Sequence, residues 1–386
     1  MENRNQLLDA SIERVMMDIE QTRREDIVVD ANRVRLIPAP NGTRIEAAFE
    51  GKVHPVKQVA LNQIEGTLLP GFSTFGRNLM QAGMRDLYID NANRLLGRTT
   101  DKKMVRMSAT RDGEMSLRAW LSTSYQRYDD DVVFGAMLDA IEDTPESTAF
   151  RSIGGYRTDS TSYIKLVTKE PLFSIFADGR ERAFSPGFIL SNSEVGQGYC
   201  RLDILLIDRY CTNGCIFSSE KLGQVKIMHR GRNFNELASG TIISPHQGGE
   251  AIAKMESAIR TAVRTAFDKD LYLSYRDVLQ QAADIKIDSG NELDIELFAK
   301  QIGRICGLTE SEHKAVAQRM LETGDRSLFG IQAALTDEAK YSRSYDRKLE
   351  LERAGGKIFT EIPRRWKTIQ NLVESEKLNS NKQVKK

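Results

Sequence analysis

The feature that most constrains this 386-residue sequence is a change of hydrophobic period near Gly248. Upstream, short apolar runs alternate with turn signals, as strands and hairpins require. Downstream, residues 251–267 run without Gly or Pro, and Ile252, Met255, Ile259, Val263 and Phe267 line one helical face. Further helical patterns cover 272–284, 293–305, 310–322 and 329–353, and Pro363 stops the pattern before a last short helix over 364–375. The sequence therefore predicts an α+β fold. A mixed or antiparallel sheet body occupies residues 26–245, a helical region 246–360, an N-terminal helix 1–25 and a basic C-terminal tail 361–386.

Within the body, Asn41-Gly42 separates a strand pattern at 34–37 from one at 44–49, and Asp112-Gly113 separates 104–110 from 114–121. Both dipeptides tolerate the positive φ of tight hairpin turns. Leu7, Leu8, Ile12, Val15, Met16 and Ile19 have helical spacing, as do Val56, Val59, Ala60 and Ile64 behind Pro55. Residues 72–97 read as helix broken near Gly83, and 131–141 as a helix with an acidic first turn that suits the dipole. Strand patterns recur at 163–167, 188–190 and 199–207.

Hydrophobic residues make up 40% and charged residues 28%, a globular balance. No apolar run approaches the roughly 20 residues of a membrane span, and the polar start MENRNQLLDASIERV lacks the apolar core of a signal peptide. The expectation is a cytoplasmic protein with no membrane partner. Four cysteines are too few for a disulfide scaffold and read as reduced thiols. With a net charge of +1, any nucleic-acid affinity has to come from local patches. One such patch is residues 340–386, with 13 Lys and Arg against 6 Asp and Glu; it fits a solubilising tail or a phosphate-attracting arm.

Candidate chemistry gathers in residues 184–232. Cys211, Cys215, Cys200 and His229 invite a zinc site, but the second half-site lacks paired spacing, so no metal is expected. Glu194, Cys211 and His229 form an alternative catalytic set, for a metal-dependent nuclease or a hydrolase. Against it, Glu194 has no evident second titrating group, since Asp203 and Asp208 alternate to opposite strand faces. No Walker loop and no strand-to-helix glycine fingerprint is present, so no nucleotide cofactor is expected. Basic and aromatic residues interleave at Arg118, Trp120, Tyr125 and Arg127, and basic groups recur at Arg201, His229, Arg230 and Arg232. Such groups neutralise phosphates and stack bases, although Trp120 and Tyr125 also suit a core. Tyr341, Arg343, Tyr345, Arg347 and Lys348 repeat the pattern on one late helix.

Three blocks resemble a domain-of-unknown-function family of phage- and plasmid-like proteins. The first is Leu117-Arg118-Ala119-Trp120-Leu121-Ser122 with Tyr125-Gln126-Arg127-Tyr128-Asp129. The second joins Asn192-Ser193-Glu194-Val195-Gly196, Cys211-Thr212-Asn213-Gly214 and His229-Arg230-Gly231. The third is Gly330-Ile331-Gln332-Ala333-Ala334-Leu335-Thr336 followed by Leu351-Glu352-Arg353-Ala354-Gly355-Gly356. Cys215 stands where the family pattern is aliphatic, which argues against a shared metal or redox role for it. The resemblance implies a part in the DNA metabolism of a phage or mobile element, and at fold level alone the chain also resembles phage annealing proteins. The leading expectation is a non-enzymatic protein that binds single-stranded DNA, as an annealing or recombination accessory, in a homo-oligomer. A structural or host-interaction protein is a further alternative.

Overall fold

In the computed structural model the described residues are 9–40, 44–109, 113–177, 179–209, 214–217, 225–229, 237–243, 249–287, 291–342 and 344–384. Helix α1 (Ala10–Gln21) starts where the Asp9 carboxylate accepts the Ser11 and Ile12 amides. Its Ile12, Val15 and Ile19 are buried. Strand β1 (Arg23–Asp30) follows at once. A small antiparallel sheet comes next, β2 (Arg35–Pro38), β3 (Ile45–Phe49) and β4 (Lys52–Pro55). Helices α2 (Gln58–Leu68), α3 (Phe72–Gln81) and α4 (Arg85–Leu96) share a core with it, including Leu36, Ala47, Ile64, Phe72 and Tyr88. The break expected near Gly83 falls between α3 and α4. Strands β5 (Lys102–Ala109) and β6 (Ser116–Ser122) form the second expected hairpin. Asn41, Gly42 and Asp112 lie outside the described residues, so both hairpins are seen through their paired arms.

Helix α5 (Asp130–Glu142) leads into the larger sheet. Its strands are β7 (Phe150–Arg157), β8 (Ser162–Thr168), β9 (Phe173–Ala177), β10 (Arg180–Asn192), β11 (Cys200–Asp208), β12 (Gly214–Phe217) and β13 (Val225–Ile227). The main order is β12-β11-β10-β8-β7, with β9 on β10 and β13 on β11, every pairing antiparallel. Alternation sends Ile164, Leu166, Phe188, Leu190, Leu202 and Ile204 into the main core, while Tyr163, Val167, Ile189 and Leu205 face the other way. Strand β14 (Ile242–Ile243) returns to the first sheet, whose order is β14-β1-β5-β6. Helix α1 lies on β7, where the Gly155 amide donates to Ser11 Oγ.

The chain then becomes helical, as the change of period predicts: α6 (Gly249–Ala266), α7 (Asp270–Asp284), α8 (Glu292–Cys306), α9 (Glu310–Thr323), α10 (Leu328–Tyr341), α11 (Tyr345–Thr360) and α12 (Ile362–Val384). The fold is α+β, with antiparallel sheets and a helical C-terminal region. Two expectations change. The single helix over 329–353 is two, because Ser344 caps a new helix by accepting the Arg347 amide; Tyr341 and Tyr345 therefore sit on different helices. The short helix expected over 364–375 is the middle of a longer one, α12, which takes up most of the segment read as a basic tail, with Pro363 in its first turn, where a missing N–H costs little. Among the described residues no helix is long and apolar enough to cross a membrane.

Candidate functional site

The turn between β10 and β11, Asn192 to Gly196, ties the two larger sheets together. Asn192 Nδ2 donates to Tyr128 O and Asp130 Oδ1. Ser193 O accepts from Tyr125 Oη at 2.8 Å, and Ser193 Oγ donates to Ser160 O. Val195 O accepts from Gln63 Nε2 at 2.7 Å. Gly196 has φ of +71°, and a Cβ there would meet Leu121 Cδ2 at 2.9 Å, so both conformation and space call for glycine.

Glu194 is the centre of this turn, and its side chain is fully buried. Oε1 accepts the Asp130 amide at 2.9 Å, at the first turn of α5, and pairs with Arg24 Nε at 3.0 Å. Oε2 accepts from Arg118 Nη1 and Arg157 Nη2. Arg118 reaches it because it is the extra residue of a β-bulge, Arg106 pairing with Ala119 while Met107 pairs with Leu117. Arg106 donates to Glu194 O at 3.0 Å, to Asp129 Oδ1 at 2.6 Å and through two nitrogens to Asp26. Asp26 also accepts from Arg127 Nη1 at 2.9 Å. Five arginines and four carboxyl groups thus interlock between the sheets.

Electrostatics follow from this packing. Burial pushes Glu194 up, but Arg118, Arg24, Arg106 and Arg157 outweigh it and hold the carboxyl well below its usual range. Burial and the Glu194 charge raise Asp130 to about 6. Burial pushes His229 down to about 4. Its ring stacks on Tyr125 with centroids 4.9 Å apart, and Nδ1 lies 3.0 Å from Gln126 O.

The structure therefore brings Arg118, Arg127, Glu194 and His229 together, but as an internal brace. Arg118 and Arg127 are buried and ion-paired, and Arg118 also lines a cavity of about 510 Å³ with Lys57 and Arg157. Trp120, 3% exposed, is core, and Tyr125 is spent on Ser193 and His229. Neither ring offers a face to a base, which corrects the expectation of stacking. Glu194, with both oxygens engaged by cations and an amide, is a poor general base. Cys211, Arg230 and Arg232 lie outside the described residues. Cys200, Cys215 and Cys306 are buried thiols raised by burial, and among the described residues no three His, Cys, Asp or Glu side chains group as a metal site would.

Arg201 belongs to a different place, the open corner of the larger sheet. There β13 pairs with the start of β11 and sets Lys226 directly opposite Arg201. Like charges opposed in this way repel and create a local positive field. Arg201 Nε donates to Asp203 Oδ2 at 2.6 Å, and Arg353, from α11, donates to the same oxygen and to Ser191 Oγ. Burial and the neighbouring Arg201 weigh on Arg353, bringing it down to about 10 despite Asp203. Two arginines thus share one carboxylate, with Lys226 opposite Arg201 in register. Lys226 is exposed and sits 3.8 Å from the ring centroid of Tyr199, itself 38% exposed. Sequence reading points to Arg201 but not to Tyr199, Lys226 or Arg353, because the β11–β13 pairing that brings them together is not local. No protein-family model, no curated protein and no solved structure matches the chain.

Proposed function

We infer that the protein binds single-stranded nucleic acid at the β11–β13 corner, as a non-catalytic DNA-binding component of a phage or mobile element. The carrying observation is that Arg201 and Arg353 share the Asp203 carboxylate while Lys226, opposite Arg201, lies against the Tyr199 ring. Cations supply sequence-independent attraction to phosphates, and an exposed ring supplies a stacking face, worth about 1–3 kcal/mol per base. The resemblance to phage- and plasmid-like proteins makes DNA the expected polymer. The enzymatic alternative on Glu194, Cys211 and His229 is not favoured, because Glu194 is locked among arginines and His229 is held neutral.

Fluorescence anisotropy with a labelled oligonucleotide tests the reading. Binding is expected to weaken as salt rises, as counterion release from the phosphates requires. Lys226→Glu with Tyr199→Ala, both at exposed positions, is expected to weaken binding at least about tenfold. No binding at low salt, an affinity indifferent to salt, or an unchanged double variant would sink it.

A further inference from the structure

The outer face of α4 carries a pattern that neither sheet uses. Asp86, Asp90 and Arg94 on α4, and Arg98 in the turn just past its last residue, Leu96, follow one another at four-residue steps, all exposed. Two acids occupy the N-terminal half of the helix, one base its C-terminal half and the other the turn that follows. Arg94 pairs with Asp90 at 3.0 Å, a solvent-exposed contact that is easily exchanged, and among the described residues Asp86 and Arg98 carry no ion pair. Apolar groups flank this row: Leu87 is 47% exposed, and on the adjoining α3 side Leu69 is 43% and Phe75 47% exposed. Leu69, Phe75, Arg94 and Arg98 line a groove of about 480 Å³.

We propose that α4 is the seam of a symmetric dimer of this chain. A two-fold axis makes an isologous contact, in which whatever residue i meets, its copy meets in return. Two copies of α4 with its closing turn, laid antiparallel about a point near position 92, set Asp86 against Arg98 of the second copy and Asp90 against Arg94, and the reverse. The same register sets Leu87 opposite Gly97, where the missing side chain allows close approach. From Asp86 to Arg94 the row spans about 12 Å at 1.5 Å per residue, and Arg98 in the turn beyond extends it to four ion pairs between the copies. A parallel arrangement would oppose like charges, so the pattern specifies orientation as well as partner. The exposed Leu69, Phe75 and Leu87 supply the apolar area that such pairs alone lack. This inference is independent of nucleic-acid binding, because α4 belongs to the small-sheet core and shares no residue with the β11–β13 corner.

Sedimentation velocity of the full chain tests it. The wild type is expected to be dimeric at micromolar concentration. Arg94→Glu with Arg98→Glu makes the row wholly acidic, and Asp86→Arg with Asp90→Arg makes it wholly basic. Each variant is expected to dissociate at least about tenfold more readily, and an equimolar mixture of the two to reassociate as a heterodimer. All four positions are exposed, so melting curves close to wild type are expected. A wild type that stays monomeric at about 100 μM overturns the proposal. So does dimerisation that survives both reversals, or a mixture that stays monomeric. If the wild type is monomeric and the acidic variant instead loses oligonucleotide binding, the groove takes nucleic acid and not a second copy.

Discussion

At the scale of single residues, Glu194 shows how a chemically suggestive group becomes structural. Its buried carboxylate neutralises Arg24, Arg118 and Arg157 and accepts the first amide of α5. Glu194→Gln keeps the shape and leaves buried guanidiniums short of charge, so unfolding stability should drop by about 3 kcal/mol or more in urea titration. Loss below about 1 kcal/mol would mean that the brace is dispensable. Two neighbours pull stability in opposite directions on acidification. The folded chain withholds a proton from His229 until about pH 4, whereas an unfolded one takes it near 6.5. Stability from that group therefore falls as pH drops from 6.5 towards 4. Asp130 is raised to about 6 from 3.8, so the folded chain gains its proton first and stability rises as pH falls below 6. His229→Gln should leave a net gain between pH 6 and about 4.5, and Asp130→Asn a net loss, each with a slope up to about 1.4 kcal/mol per pH unit. Stability curves of the same sign in both variants would contradict these assignments. None of this was legible in the sequence, because Arg106 and Arg118 meet Glu194 across 88 and 76 residues of chain. Local spacing carries no trace of such pairings.

At the scale of elements, legibility follows the range of the forces that make each one. Helices from α6 to α9 were readable, since their apolar stripes are local. The two hairpins were readable through their turn dipeptides. Strand β1 was not, because Arg23-Arg24-Glu25-Asp26 reads as a solvated run, yet Arg24 and Asp26 face the arginine brace. The division of α10 from α11 was missed because a serine cap is a weaker mark than Gly or Pro. Packing between elements was also invisible, and Gly356 is the sharpest case. A Cβ there would lie 2.0 Å from Ile216 O, so α11 can seat on β12 only with glycine at that point. Gly356→Ala should cost about 2 kcal/mol or more by forcing the helix off the strand. Gly66, inside α2, has open space around it, and Gly66→Ala should instead stabilise by about 0.5–1 kcal/mol through backbone entropy. Thermal melts of the two variants should move in opposite directions, and a shared direction would show that helix propensity outweighs the close approach.

At the scale of the molecule, α12 decides how the helical region relates to the rest. Composition marks residues 361–386 as a basic tail, but periodicity within them buries Ile362, Ile369 and Val373, and Trp366 stacks on Phe298 at 5.2 Å. Glu376 accepts from Lys300 and Gln301, and Lys377 pairs with Asp294, so the helix is clamped to α8 at both its apolar and its charged face. The net charge of the segment hid that role, since Arg364, Arg365 and Lys367 occupy positions away from the buried stripe. The two properties can be separated by experiment. Ile369→Asp places a carboxylate in the packed seam, where it has no counter-charge in the stripe, and should lower the melting temperature by several degrees or more, at about 2–4 °C per kcal/mol for a chain of medium size. Changing Arg364, Arg365 and Lys367 together to Gln touches only exposed groups and should leave melting within about 0.5 kcal/mol of wild type. If the triple variant also binds oligonucleotide as the wild type does, α12 is a clamp and the phosphate contacts belong to the β11–β13 corner. If its affinity falls and its salt slope flattens while melting holds, the clamp carries part of the nucleic-acid surface as well, because each lost phosphate contact removes about 0.7 from the slope on a single strand.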